Sequence, residues 1–252
     1  MSLELRNAHS VLAALHARPD NVEEVRLPPR PAGLWRTIAD RAGEAGVPTR
    51  PAPPPDGRRD PAPKQGREGA ACAIVAPRAP APIDTLLARP AGDAHGLWLA
   101  LDSIQDPRNV GAIFRSAAFF GVRGVVLGEH RAAGLTAVAY DTASGGFERV
   151  PFAVETNLRR ALSTAKDAGL WILGTSEHAA QPLADVPRDR DWLLVVGGEE
   201  RGLRRLTLEA CDAVCAIPPP PAAGAGDPAA VRSLNVSVAT GVALAILSGL
   251  GG

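Results

Sequence analysis

The sequence predicts an α/β protein in two parts: a small α/β domain, then a larger one built on a mostly parallel sheet. Three observations carry this. From Leu97 onward, short apolar runs alternate with helical segments, and strands buried on both faces read as continuous apolar runs. Before Leu97 the elements are shorter and more polar. Within that first part, the stretch TRPAPPPDGRRDPAPK, Thr49 to Lys64, is dominated by Pro and Arg, a composition that reads as an extended loop.

Taken in order, the first part opens with a helical pattern from Ala8 to Ala17, a short strand from Glu24 to Leu27 and a helix from Gly33 to Ala45. After the Pro/Arg stretch, GAACAIVAP reads as one more strand, and RAPAPIDTLLARPAGDAHG as a linker containing one helical turn. In the second part LWLALD, GVVLG, RVPFAV, WILGTS, WLLVVGGE and AVCAIP read as strands. They alternate with the helical segments NVGAIFRSAAFFG, TNLRRALSTAKDAG and SLNVSVATGVALAILSGL. Ligands of such sheets sit beyond the carboxyl ends of the strands. The polar residues that follow each apolar run are therefore the candidate site.

Bulk composition narrows the function classes. Lys+Arg and Asp+Glu are equal at 27 each, so no overall basic field advertises nucleic acid or a membrane surface. Lys64 and Lys166 are the only lysines, which leaves the cationic complement to arginine, the side chain that grips phosphate with a planar fork. A G- and C-rich genome produces the same bias. Cys72, Cys211 and Cys215 are too few for a disulfide framework and fit a reducing cytoplasm. The CDAVC pair has no second pair or histidine cluster beside it, so no metal site is expected. His9 and His16 fall on the first helix and His95, His130 and His178 in loops, without metal-ligand spacing. The N-terminal stretch has acidic Glu4 and no sustained apolar run, unlike a signal peptide, and no segment approaches the ~20 apolar residues of a membrane span.

Three strand ends carry polar cargo. After LWLALD, Asp106 and Pro107 are expected to form a turn, Asn109 to cap the next helix, and Arg115, six residues on, to interrupt a small and apolar helix as a buried cation in need of an anion. After WLLVV, Gly197 and Gly198 let backbone amides approach a ligand, Glu199 adds a carboxylate and Gly202 permits a sharp turn. The dinucleotide spacing G-x-G-x-x-G and the P-loop lysine pattern are both missing there. After AVCAIP, Ser233 is expected to cap the last helix, whose first turn presents Asn235.

Together, N-x-x-x-x-x-R, G-x-E-x-x-G-L and SLNVSVA resemble the three ordered motifs of the SpoU-type (TrmH-like) RNA ribose 2′-O-methyltransferases. The resemblance runs from Leu97 to the last residue. TASGGFERVPFAVETNLRRAL and WILGTSEHA are most similar to the branch that methylates a guanosine ribose of large-subunit ribosomal RNA. NAHSVLAAL, EEVRL and KQGREGAACAIV are similar to that branch's L30e-like RNA-binding domain, with Asn7 where the family usually has glycine. The resemblance implies an L30e-like domain over 1–78, a linker over 79–96, and over 97–252 a parallel α/β domain with a deep trefoil knot, active as a homodimer. It implies S-adenosyl-L-methionine as cofactor, lined by Gly197, Ile217 and Leu234 with Thr175 and Gly202 close by. The implied catalytic set is Asn109, Arg115, Glu199, Ser233 and Asn235, acting on RNA, either 23S rRNA or a pre-ribosomal particle.

One departure stands out: fourteen residues separate Pro218 from Ser233, more than the family usually has, and this Pro/Ala/Gly-rich excess is expected to loop out to solvent. Alternatives stay open at this point. They are a transfer-RNA ribose methyltransferase, a resistance methyltransferase acting on ribosomal RNA, an RNA-binding or ribosome-assembly protein without catalysis, and, remotely, a nucleotide-binding oxidoreductase.

Overall fold

The computed structural model describes residues 2–53, 70–89, 95–129, 134–198, 202–219 and 233–249. By contacts the chain forms two compact units, each discontinuous in sequence. The first comprises Met1–Ala79, Val110–Arg115 and Gly134–Arg149, and the second Pro80–Asn109, Ser116–Ala133 and Val150–Gly252.

The chain begins with β1 (Leu3–Leu5), α1 (Ala8–Ala17), β2 (Val22–Leu27), α2 (Gly33–Glu44), β3 (Thr49–Pro51) and β4 (Cys72–Val75). These strands form a four-stranded sheet in the order β1-β4-β2-β3, with β4 antiparallel to both neighbours and β3 parallel to β2. Leu5, Val11, Leu15, Val25, Trp35 and Ile38 fill its core. The helix expected over Ala8–Ala17 forms with those bounds because Asn7 caps it, its side chain accepting from the His9 N–H. Asn7 thereby has a local role at the position where the family it resembles usually has glycine. The start of the Pro/Arg stretch is not all loop: Thr49–Pro51 adds an edge strand, a place where proline costs no ladder bond. Residues 54–64 of that stretch lie outside the described residues.

The chain continues with α3 (Ile83–Leu87), β5 (Leu97–Asp102), α4 (Pro107–Phe119), β6 (Gly124–Gly128), α5 (Ala137–Ala143), α6 (Gly146–Arg149), β7 (Phe152–Glu155) and α7 (Leu158–Asp167). Helices α5 and α6, not anticipated from the sequence, belong to the first unit. There the Asp141 carboxylate accepts from the Arg6 and Asn7 backbone N–H groups, and Glu148 holds Arg18 through two bonds of 2.8 Å.

The last elements are β8 (Trp171–Thr175), β9 (Gln181–Pro182), β10 (Trp192–Gly197), α8 (Arg205–Leu208), β11 (Ala213–Ala216) and α9 (Val236–Leu247). The second unit is organised on a seven-stranded parallel sheet in the order β7-β6-β5-β10-β8-β11-β9. All six apolar runs become strands. Residues of β5, β6 and β10 are almost wholly buried, which is why they read as continuous apolar runs. Trp98, Val126, Ile172, Leu193 and Val195 pack with Leu158, Leu162 and Ala165 of α7.

From β5 the chain builds the sheet outward through β6 and β7, then crosses to the other side of β5 to add the rest. The direction of growth therefore reverses between β5 and β10. Such a switch point opens a crevice at the carboxyl ends of the two strands.

Candidate active site

At the switch point β5 ends on Asp102, which lies in register with Gly197, the last residue of β10. An apolar strand needs no terminal carboxylate to be buried, yet Asp102 is 0% exposed. Four donors compensate it: Arg204 Nε at 2.6 Å, the Arg204 backbone N–H at 3.2 Å, Thr207 Oγ1 at 2.7 Å and Ser103 Oγ at 3.1 Å. Ser103 follows in a left-handed conformation, φ 66°, and its carbonyl oxygen lies 2.7 Å from where a Cβ on Gly198 would stand. A Cβ on Gly197 would meet the Gly202 carbonyl carbon at 2.2 Å. Both positions must therefore be glycine. The Gly202 N–H donates to the Gly198 carbonyl at 2.9 Å. The Gly197, Gly198 and Gly202 backbones are thus packed against the ends of β5 and α8.

The neighbouring strand ends are built from the same pattern. Thr175, last in β8, is paired with Cys215 of β11 and donates its hydroxyl to the Val195 carbonyl of β10 at 3.1 Å. Ile217, one residue past β11, is half-buried. Burial pushes the Cys211 and Cys215 thiols up to about 11, which leaves them protonated and chemically quiet near neutral pH.

The first and third motifs meet through their asparagines. Asn235 Nδ2 donates to Asn109 Oδ1 at 3.2 Å, while Asn235 Oδ1 accepts from the Ser237 N–H at 2.9 Å and the Ser237 hydroxyl at 2.7 Å. Asn235 is therefore the N-cap of α9. This corrects the expectation that Ser233 caps it: the helix begins two residues later, and Ser233 and Leu234 are exposed ahead of it.

Asn109 is corrected in the same way. The cap of α4 is Asp106, whose side chain accepts from the Arg108 N–H, because Pro107 suits the first helical position and draws the start forward. Asn109 then lies inside the helix, half-buried. Arg115 is exposed, against the expectation of a buried guanidinium; it faces away from the apolar side on which Ile113, Phe114 and Ala117 are buried. Glu199 and residues 220–232 of the Pro/Ala/Gly-rich connection lie outside the described residues.

The model of the SpoU rRNA methylase family matches residues 96–245. The chain belongs to that family. Among its relatives, the 23S rRNA (guanosine-2′-O-)-methyltransferase RlmB of Nitrosomonas europaea is 44% identical to the SpoU chain over 148 residues, 59% of this chain and 54% of that protein. An uncharacterized tRNA/rRNA methyltransferase of Mycolicibacterium smegmatis is 46% identical over 172 residues, 68% of this chain and 52% of that protein. The alignments thus span about half the length of these curated relatives.

Solved SpoU structures share the fold. The SpoU methyltransferase AviRb of Streptomyces viridochromogenes, solved with the cofactor AdoMet, superposes with a TM-score of 0.74 at 18% identity, covering 98% of this chain and 89% of that one. An AdoMet-bound rRNA methyltransferase of Sinorhizobium meliloti gives 0.73 at 19% identity, covering 98% and 86%.

Sequence reasoning missed Asp102, Arg204 and Thr207 as a unit. The one available signal was an acidic residue closing an otherwise apolar run. Among the described residues no group of three or more His, Cys, Asp or Glu is arranged to hold a metal, and no helix is long and apolar enough to cross a membrane.

Proposed function

We propose that the chain is an S-adenosylmethionine-dependent RNA 2′-O-methyltransferase that modifies a guanosine ribose of 23S ribosomal RNA. The observation that carries this reading is the Asn235–Asn109 bond, which joins the first and third SpoU motifs at 3.2 Å. The RlmB relatives support the guanosine and 23S assignment. The tRNA/rRNA name of the mycobacterial relative keeps transfer RNA as the second substrate to test.

The residues fit the methyl donor by chemistry. Half-buried Ile217 and exposed Leu234 offer apolar surface for a purine, and the backbones of Gly197 and Gly202 offer peptide groups for its polar parts, with Thr175 close by. When bound, S-adenosylmethionine supplies an electrophilic sulfonium methyl. A ribose hydroxyl is a weak nucleophile, so the protein must align it and ease loss of its proton. In this reading Asn109 and Asn235 orient the ribose and Ser233 binds near the donor. Arg115 grips the phosphate beside the target and stabilises the developing alkoxide, acting as a cation and hydrogen-bond donor rather than as a base. Glu199 organises the second motif.

The wider architecture is proposed on the same resemblance: an L30e-like RNA-binding domain over 1–78, a linker over 79–96 and a knotted methyltransferase domain over 97–252, in a cytoplasmic homodimer. Exposed Phe119 and Val238, at 78% and 51%, supply apolar surface for a second copy. Transfer of labelled methyl to unmodified 23S rRNA and to transfer RNA, with mapping of 2′-O-methyl positions, tests the reading. One modified guanosine ribose in 23S rRNA is the expected result. Labelling of transfer RNA alone overturns the substrate, and no transfer together with no donor binding overturns the enzyme.

A further inference from the structure

The Asp102 carboxylate is fully buried, accepts four hydrogen bonds and belongs to none of the three motifs. Three of its four bonds come from one short segment after Gly202. Arg204 is the N-cap residue of α8 and makes no side-chain cap bond of its own. In a capping box the third helical residue's side chain accepts from the N-cap N–H. Here that residue is Thr207, which has no carboxylate to offer. Asp102, arriving from β5, accepts from the Arg204 N–H and from the Thr207 hydroxyl, and so completes the box from another strand.

The same carboxylate also holds Ser103, whose carbonyl oxygen packs on Gly198. On the other side, the Gly202 carbonyl carbon and the Leu203 nitrogen occupy the space beside Gly197 at 2.2 and 2.4 Å from its missing Cβ. Asp102 therefore braces the glycine backbones from both directions. Its four bonds need an acceptor-only group with two oxygens; an amide would turn a donor toward donors. A buried ion pair is a weak source of net stability compared with apolar packing, so a precise local geometry is the better account of the charge.

We propose that Asp102 is a positioning residue for the methyl-donor pocket, acting through Arg204 and Thr207 on the backbone at Gly197, Gly198 and Gly202. This rests on the reading of those glycines as donor-binding.

Steady-state kinetics of the full chain, with S-adenosylmethionine and 23S rRNA varied separately, test it in Asp102→Asn, Thr207→Val and Thr207→Ser. The KM for S-adenosylmethionine is expected to rise about tenfold in Asp102→Asn, the size of one mismatched buried hydrogen bond. It rises about threefold in Thr207→Val, and Thr207→Ser, which keeps the hydroxyl, restores it. The KM for RNA and kcat at saturating donor stay within about twofold.

A residue that only stabilises the fold would reduce the active fraction, lowering kcat with the donor KM unchanged, and that result overturns the proposal. If Asp102→Asn does not fold, the two Thr207 variants decide. Calorimetry of the unaltered protein with S-adenosylmethionine separates the two levels. Absence of binding there overturns the donor reading and this inference together, whereas normal binding with an unmoved KM in Thr207→Val overturns this inference alone.

Discussion

The Asp102 cluster, at the end of β5, and the Asn109–Asn235 pair, in the first turn of α4 and at the cap of α9, solve opposite problems. Asp102 is fully buried with four donors. Asn235 is exposed and reaches Asn109 through a single bond of 3.2 Å. The difference shows where the fold fixes geometry and where it leaves polar groups for something else to bind. A buried charge must be fully compensated by the protein itself. An exposed amide keeps part of its surface open to solvent even while it caps a helix, and exchanging that solvent for substrate costs little.

That contrast makes ordered predictions. The largest effect is expected for Arg115→Ala. Its exposed position means stability changes by less than ~0.5 kcal/mol, while methyl transfer falls by ~10² to 10³-fold with donor binding intact. A matching fall in melting temperature would instead make Arg115 a structural residue.

Gly197→Ala comes next. Its Cβ would stand 2.2 Å from the Gly202 carbonyl carbon, an overlap with backbone that cannot rotate away, costing about 3 kcal/mol in chemical denaturation. An unchanged unfolding midpoint would show that the Gly202 backbone yields freely.

Asn235→Ala should cost about 1 kcal/mol through the lost α9 cap and, by removing the bond to Asn109, lower turnover more than that loss of stability explains. Turnover that simply tracks the folded fraction would reduce the pair to a cap.

Ser233→Ala is expected to be the smallest in stability, below ~0.5 kcal/mol, since Asn235 does the capping. A loss near 1 kcal/mol would reinstate Ser233 as the cap.

The sequence was most legible where burial is uniform. The runs LWLALD, GVVLG and WLLVV are buried on both faces, so apolarity alone marks them as strands, and α1 was bounded correctly because its cap is local. Legibility failed where a residue's role depends on its neighbours in space. Asn109 and Ser233 are good caps by type, but Pro107 and Asn235 set the actual helix starts. Arg115 interrupts an apolar helix without being buried, because it occupies the outer stripe of an amphipathic turn pattern. Helices α5 and α6 were missed because seven- and four-residue helices are too short to show a period.

The sequence by itself determined the alternation of strands and helices, the three ordered motifs and hence the SpoU family, because these depend on residue type and spacing along one chain. Only the tertiary structure decided that β5 and β10 are neighbours and that Asp102 meets Arg204 and Thr207. Those contacts span roughly a hundred residues, and a carboxylate's burial and partners are properties of the packed sheet, with no trace in the local sequence beyond one acid at the end of an apolar run.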